Sequence, residues 1–221
     1  MTGTVLSTGA NRGIGLALSR YYANRGDHVI AVCRSSSDEL ENLGVTVIDQ
    51  IDVTDDASIA RLAASLSGKT IDILINNAGI LRSGSLDSLD YNSIIEQFQV
   101  NAVAPLRVTE ALLDKLVSGS KIALITSRMG SIDDNTSGGA YGYRMSKAAL
   151  NAAGKSLAID LKAKGIAVSL LHPGYVQTEM VNFNGDISAE LAASRLADRI
   201  AALDMNSTGR FWHSNGELLP W

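Results

Sequence analysis

Tyr143 and Lys147 stand four residues apart in a stretch of helical period, so their side chains leave one face a single turn apart. Such a pair can make a general acid of a phenol. Free tyrosine titrates near pKa ~10 and acid catalysis at neutral pH wants a value nearer ~7, a change worth roughly 4 kcal/mol. One ammonium at ~4 Å supplies about 4 kcal/mol at an effective dielectric of ~20, and less where solvent enters. By itself the spacing also fits a buried-bodied tyrosine beside a surface lysine, so the rest of the chain must decide. Tyr141 competes for the acid role, but it lies two positions from Tyr143, with Met145 one turn onward, and faces elsewhere.

A second chemical cluster opens the chain. Thr8, Gly9, Ala10, Asn11, Arg12, Gly13, Ile14 and Gly15 follow a short apolar run and lead into helical period. Glycines let the chain turn tightly and let phosphate oxygens approach the backbone, while the following helix offers unpaired N–H groups at its positive end. Three residues separate Gly9 from Gly13 and one separates Gly13 from Gly15, which differs from the G-x-G-x-x-G spacing. About twenty positions past the glycines, where a carboxylate would hold a ribose 2′-OH, stand Cys33, Arg34 and Ser35. Arg34 and Arg12 can instead converge on a 2′-phosphate, so NADP(H) is expected over NAD(H).

Short apolar runs must position these groups. Strands are expected at Thr4 to Thr8, His28 to Cys33, Val45 to Ile48, Ile71 to Ile75, Lys121 to Thr126 and Ile166 to Leu171. Helices are expected at Gly13 to Asn24, Asp38 to Leu43, Asp55 to Leu66, Tyr91 to Val117 and Tyr143 to Lys164. The alternation predicts a parallel sheet covered on both sides, a doubly wound α/β layout. After Leu171 a loop runs through Gly185, then a helix from Ser188 to Leu203 and a last strand near Phe211. With 221 residues, 20 glycines against 3 prolines, and no linker or repeat, one domain over residues 1–221 is expected.

Composition narrows the partners. A formal net charge of −4 and the absence of any Lys/Arg run disfavour nucleic acid and anionic membranes. The single cysteine, Cys33, excludes an intramolecular disulfide. The first strand begins within a few residues of Met1 without a basic and apolar leader, and a cytoplasmic location is the expectation. His28, His172 and His213 lack metal-ligand spacing, so no metal is expected; His172, before Pro173, is expected to satisfy a local hydrogen bond.

Over nearly its full length the sequence resembles the short-chain dehydrogenase/reductase family, with motifs in the family's order. The loop Thr8 to Gly15 matches the glycine motif, Asp52-Val53 the adenine contact, and Asn76-Asn77-Ala78-Gly79 the loop after the fourth strand. Asn101, Ser127, Tyr143 and Lys147 match the family's catalytic tetrad, and Pro173, Gly174, Val176 and Thr178 its nicotinamide loop. The run from Ile125 to Ile132 and the ending Gly216 to Trp221 are similar to the C-factor and sniffer-like carbonyl reductase group.

The resemblance implies a Rossmann-like oxidoreductase in which Tyr143 protonates a carbonyl oxygen as NADPH delivers hydride to the carbon. Lys147 would lower the Tyr143 pKa and hold the nicotinamide ribose, Ser127 would bond the carbonyl oxygen, and Asn101 would hold a water linking Lys147 to solvent. A glycine-rich insertion before Tyr143 lengthens its separation from Ser127 and makes Ser131 a rival, but Ser127 ends the strand, at the edge where such sheets bind ligands. Met129, Tyr175, Met180, Val181 and Phe183 are candidates for an apolar substrate wall, with Asn182 to Gly185 as a lid and the substrate segment spanning 175–203. Trp212 and Trp221 are expected as core or subunit-contact anchors. The substrate would be a small carbonyl or alcohol, and the long helices would form a homodimer or homotetramer. The C-factor likeness leaves open a nucleotide-binding sensor with incidental catalysis. A nucleotide-sugar epimerase would need a larger region after Pro173.

Overall fold

A computed structural model describes residues 2–221. Seven strands, β1 (Thr4–Thr8), β2 (His28–Val32), β3 (Thr46–Ile48), β4 (Ile71–Asn76), β5 (Leu116–Ile125), β6 (Ala167–His172) and β7 (Arg210–His213), form one sheet. Its order is β3-β2-β1-β4-β5-β6-β7, and neighbours pair in parallel. Seven α-helices accompany it: α1 (Gly13–Asn24), α2 (Asp38–Glu41), α3 (Asp56–Ser65), α4 (Tyr91–Phe98), α5 (Ala104–Ala111), α6 (Tyr141–Asp160) and α7 (Ala189–Ala202).

The strands are apolar throughout because both faces are covered. Side chains alternate across the sheet, so Leu6, Leu74 and Ile122 join Leu62 of α3, Val108 of α5 and Leu150 of α6. Their neighbours Val5, Ile75 and Ala123 join Leu18 and Tyr22 of α1 and Leu196 and Ile200 of α7 on the other face. Each fully buried Leu or Ile contributes roughly 1.5–3 kcal/mol, and a one-residue slip in register would turn a strand's side chains to the wrong layer. From β1 the chain first builds outward through β2 and β3, then crosses back to β4 and builds the other way. The crevice at that reversal, beyond the carboxyl ends of β1 and β4, is where such sheets take ligands.

The helix expected over Tyr91 to Val117 is continuous from Tyr91 to Ala111 but not regular. After α4 the chain widens into a π turn at Gln99–Val103, resumes as α5, and ends in a 3₁₀ turn at Leu113–Lys115. Pro105 explains part of this: an α-helical bond to the Asn101 carbonyl needs an N–H on residue 105, and proline has none. Strand β5 also starts at Leu116, five residues before the expected Lys121. Val117, Ser118 and Gly119 of this stretch are exposed, and distant partners hold it: Leu116 pairs with Ile71, Gly119 N–H donates to the Gly165 carbonyl, and Ser120 donates to the Ile71 carbonyl. Helix α6 begins at Tyr141 and so carries Tyr143 in its first turn.

Candidate active site

A cavity of about 840 Å³ opens at the carboxyl edge of the sheet. Its first wall is the turn between β1 and α1, where Gly9 and Gly13 adopt positive φ of 65° and 54°, a region that L side chains enter at a cost. A Cβ on Gly15 would lie 2.1 Å from the Gly9 carbonyl oxygen, so the helix can start this close to the strand only with glycine there. Arg12 supplies no side-chain cap to α1, and the first turn carries no carboxylate. Its N–H groups and positive end therefore suit an anionic diphosphate. Asn11, Arg12, Ile14, Arg34, Asp52 and Val53 continue this wall, as do Asn77, Ala78 and Gly79. Thr8 joins the two loops: its hydroxyl accepts from the N–H of Asn77 and of Ala78, both 3.1 Å, while the Asn77 amide donates to the carbonyls of Thr8 and Gly9.

These features fit an NADP-type dinucleotide, with two glycines leaving the phosphates room and two arginines, Arg12 and Arg34, on the same wall. Arg12 is already engaged, in an ion pair with Glu179 across the cavity mouth. Both partners are exposed, a setting in which such pairs are worth about 0–1 kcal/mol, so a phosphate can compete for the guanidinium. Asp52 accepts from the Thr54 N–H and hydroxyl, and these bonds hold its carboxyl below the usual range.

Opposite lie Ser127, Tyr143 and Lys147. Tyr143 and Lys147 are only 8% and 4% exposed. The ammonium donates to the Ile125 carbonyl (2.9 Å) and lies 5.8 Å from the Tyr143 ring centroid. Burial pushes Lys147 down to about 8. It pushes the Tyr143 phenol up from its ordinary value, against a smaller downward pull from the Ser127 hydroxyl facing it. The expectation that Lys147 acidifies Tyr143 is therefore not met in this state, because desolvation of the buried phenolate dominates. Gly130 brings the serine turn onto α6: a Cβ there would stand 2.7 Å from the Lys147 carbonyl carbon. Ser131 turns away, donating to the Trp221 carbonyl oxygen and accepting from the Asp134 N–H, so Ser127 is the serine at the cavity.

Two expected site residues do not reach the cavity wall. Gly15 lies beneath the glycine turn, as its contacts require. Asn101 is fully buried in the π turn; its amide donates to the Ile80 carbonyl (2.8 Å) and the Ser146 hydroxyl (3.0 Å), and its oxygen accepts from the Ile80 N–H (2.8 Å). With these bonds it fixes the Gly79–Ile80 backbone beside Lys147.

The third wall is the loop after β6, with Pro173, Gly174, Val176 and Thr178. Tyr175, Met180, Val181, Phe183 and, from the serine turn, Met129 also line the cavity. The loop returns on itself, since Asp186 N–H donates to the Tyr175 carbonyl (2.7 Å) and Gln177 N–H to that of Ile187 (2.9 Å). Sequence reasoning missed Arg82, Glu96 and His172 on the wall. Arg82 follows the Asn77–Gly79 loop by three residues, which was a usable signal; Glu96 arrives through the packing of α4, which was not. His172 does not satisfy a local hydrogen bond through Nδ1, which is buried without a partner; its ring packs edge-on against His213 at 4.8 Å. Burial pushes it down to about 3, so it is neutral.

Residues 3–187 match the family described as short chain dehydrogenase. The chain belongs to that family. This short-chain dehydrogenase is 42% identical to the 1-hydroxy-2-glutathionyl-2-methyl-3-butene dehydrogenase of Rhodococcus sp. (strain AD45), over 99% of both chains. It is 44% identical to the C-signal of Myxococcus xanthus, over 68% of this chain and 93% of that one. Among solved structures it superposes on the carbonyl reductase Sniffer of D. melanogaster with TM-score 0.93 and 30% identity, covering 100% of both chains. The NADPH-bound carbonyl reductase from chicken fatty liver gives 0.91 and 31%, covering 100% of this chain and 99% of that one. The seven-stranded parallel sheet with helices on both faces is thus the Rossmann-like fold of the family, and the chain is an oxidoreductase. Among the described residues no helix is long and apolar enough to cross a membrane.

Proposed function

We propose that this short-chain dehydrogenase is an NADPH-dependent carbonyl reductase with Tyr143 as the proton donor. The observation that carries this is one cavity lined on one side by the glycine turn with Arg12 and Arg34 and on the other by Ser127, Tyr143 and Lys147. The NADPH-bound chicken enzyme of the same fold supports the cofactor. The dinucleotide would lie along Gly9, Asn11, Gly13 and Ile14, its adenine by Asp52 and Val53, its 2′-phosphate by Arg12 and Arg34, and its nicotinamide by Val176 and Thr178. Bound nicotinamide supplies the hydride in reduction and accepts it in the reverse direction.

Tyr143, held neutral by burial, donates its phenolic proton to the substrate oxygen as charge develops there. Ser127 donates a second hydrogen bond to that oxygen. Among the described residues Lys147 has one hydrogen-bond partner, leaving two N–H donors for the ribose and, once Tyr143 is ionised, for stabilising the phenolate. The 175–203 segment closes the substrate side with Met180, Val181 and Phe183, which suits a small or moderately apolar ketone or aldehyde.

NADPH absorbance followed with a panel of ketones and aldehydes, and NADP⁺ reduction with alcohols including a glutathionyl alcohol of the kind in the Rhodococcus enzyme's name, tests this. Turnover of at least one member is expected. Tight NADPH binding without turnover across the panel would contradict catalysis and favour the nucleotide-sensing role that the likeness to C-signal supports.

A further inference from the structure

The third wall of the cavity is anchored from outside by a residue that does not line it. Ser214 follows β7 and is 2% exposed. Its N–H donates to the His172 carbonyl and its hydroxyl to the Pro173 carbonyl, both at 2.8 Å. These carbonyls belong to the residues where β6 ends and the loop begins, and the chain reverses immediately afterwards at Gly174, φ 100°. Pro173 has no N–H, so the carbonyl held by Ser214 is the only main-chain group by which that residue can be hydrogen-bonded. The support is itself fixed: the His213 ring packs on His172, and its Nδ1 accepts from the Asn215 N–H at 3.0 Å.

We infer that Ser214 is a positioning residue for the loop from Pro173 to Thr178, an inference that rests on the NADPH reading of the cavity. It acts through Pro173 and sets how Val176 and Thr178 meet the nicotinamide end of the dinucleotide. Removing its hydroxyl leaves a buried carbonyl unpaired at the root of the loop, and the loop loses its fixed starting direction. The adenine end, bound by other walls, is untouched.

The opposite end of β7 supplies a matched control. Two residues before the strand the Thr208 hydroxyl accepts from the Val168 N–H of β6 at 2.9 Å, away from the cavity. Thermal midpoints and dissociation constants for NADPH and for 2′,5′-ADP, which lacks the nicotinamide, are measured for the native protein, Ser214→Ala and Thr208→Val. Both variants lose similar thermal stability, but only Ser214→Ala weakens NADPH, by about three- to tenfold, the effect of one buried hydrogen bond. 2′,5′-ADP binds Ser214→Ala as it binds the native protein. Native-like NADPH binding by Ser214→Ala, equal weakening of 2′,5′-ADP, or equal weakening by Thr208→Val would overturn the inference. A native protein that binds no NADPH overturns the cofactor reading on which it stands.

Discussion

Lys147 is held where its charge is costly. Its ordinary value is 10.5 and burial brings it to about 8, so between those two pH values the unfolded chain binds more protons than the folded one. Stability contributed by this group therefore rises as pH climbs from about 8 to 10.5, and below pH 8 the buried ammonium costs the fold up to about 3 kcal/mol. Lys147→Met is expected to be more stable than the native protein at pH 7, with the advantage shrinking towards pH 10. Urea midpoints at the two pH values check this, and a pH-independent difference would refute it. Cys33, pushed up by burial, destabilises the fold at alkaline pH, but it is common to both proteins and cancels in the comparison. That Tyr143, Lys147 and Ser127 come together on one cavity was legible because each placement depends on local spacing or on the end of a strand. The direction of the Tyr143 shift was not, because it is set by burial, which depends on how the rest of the chain packs around the helix.

Elements followed the sequence where the pattern was local and failed where a distant partner decided. β1 and α1 begin and end where apolar run, glycines and helical period place them. The first half of β5, with Ser118, Gly119 and Ser120, has little strand propensity and exists through bonds to β4 and to the Gly165 turn. The π turn after α4 was written in Pro105 but hidden by the apolar period around it. The serine turn depends on α6 in the same non-local way. Gly130 contacts the Lys147 backbone, and its carbonyl accepts from the Asn151 amide at 3.3 Å. On the other side the turn is clasped by the C-terminal segment, with Arg128 paired to Glu217 (2.9 Å) and the Trp221 carbonyl oxygen accepting from the N–H groups of Ile132 and Asp133. Gly130→Ala pushes Ser127 off α6. Its carbonyl turnover is expected to fall at least about tenfold, the scale of a misplaced catalytic hydrogen bond, with 2′,5′-ADP affinity unchanged. Native-like turnover in that variant would show that the close contact does not position Ser127.

At the scale of the molecule, α4 leaves Tyr91, Ile95 and Phe98 exposed at i, i+4 and i+7, one continuous apolar stripe, with Met145 exposed on the neighbouring α6. Ile95 alone is 58% exposed. This is the face expected to pair two subunits, and sedimentation of the native protein as a dimer or tetramer that Ile95→Asp converts to monomer would bear that out; a native monomer would contradict it. The overall layout was legible because buried parallel strands announce themselves as unbroken apolar runs, and the cavity because glycines and asparagines mark the loops at the sheet edge. The rest of the cavity lining was less legible, since Arg82, Glu96 and His172 are brought to it by separate parts of the chain. The proposal stands or falls on proton donation by Tyr143 coupled to hydride transfer. Its most direct test is NADPH oxidation by native protein and Tyr143→Phe on a carbonyl the native protein turns over. The expected result is a kcat reduced by roughly 10²- to 10⁴-fold, the range for loss of a general acid, with NADPH affinity retained; turnover by Tyr143→Phe at the native rate would contradict it.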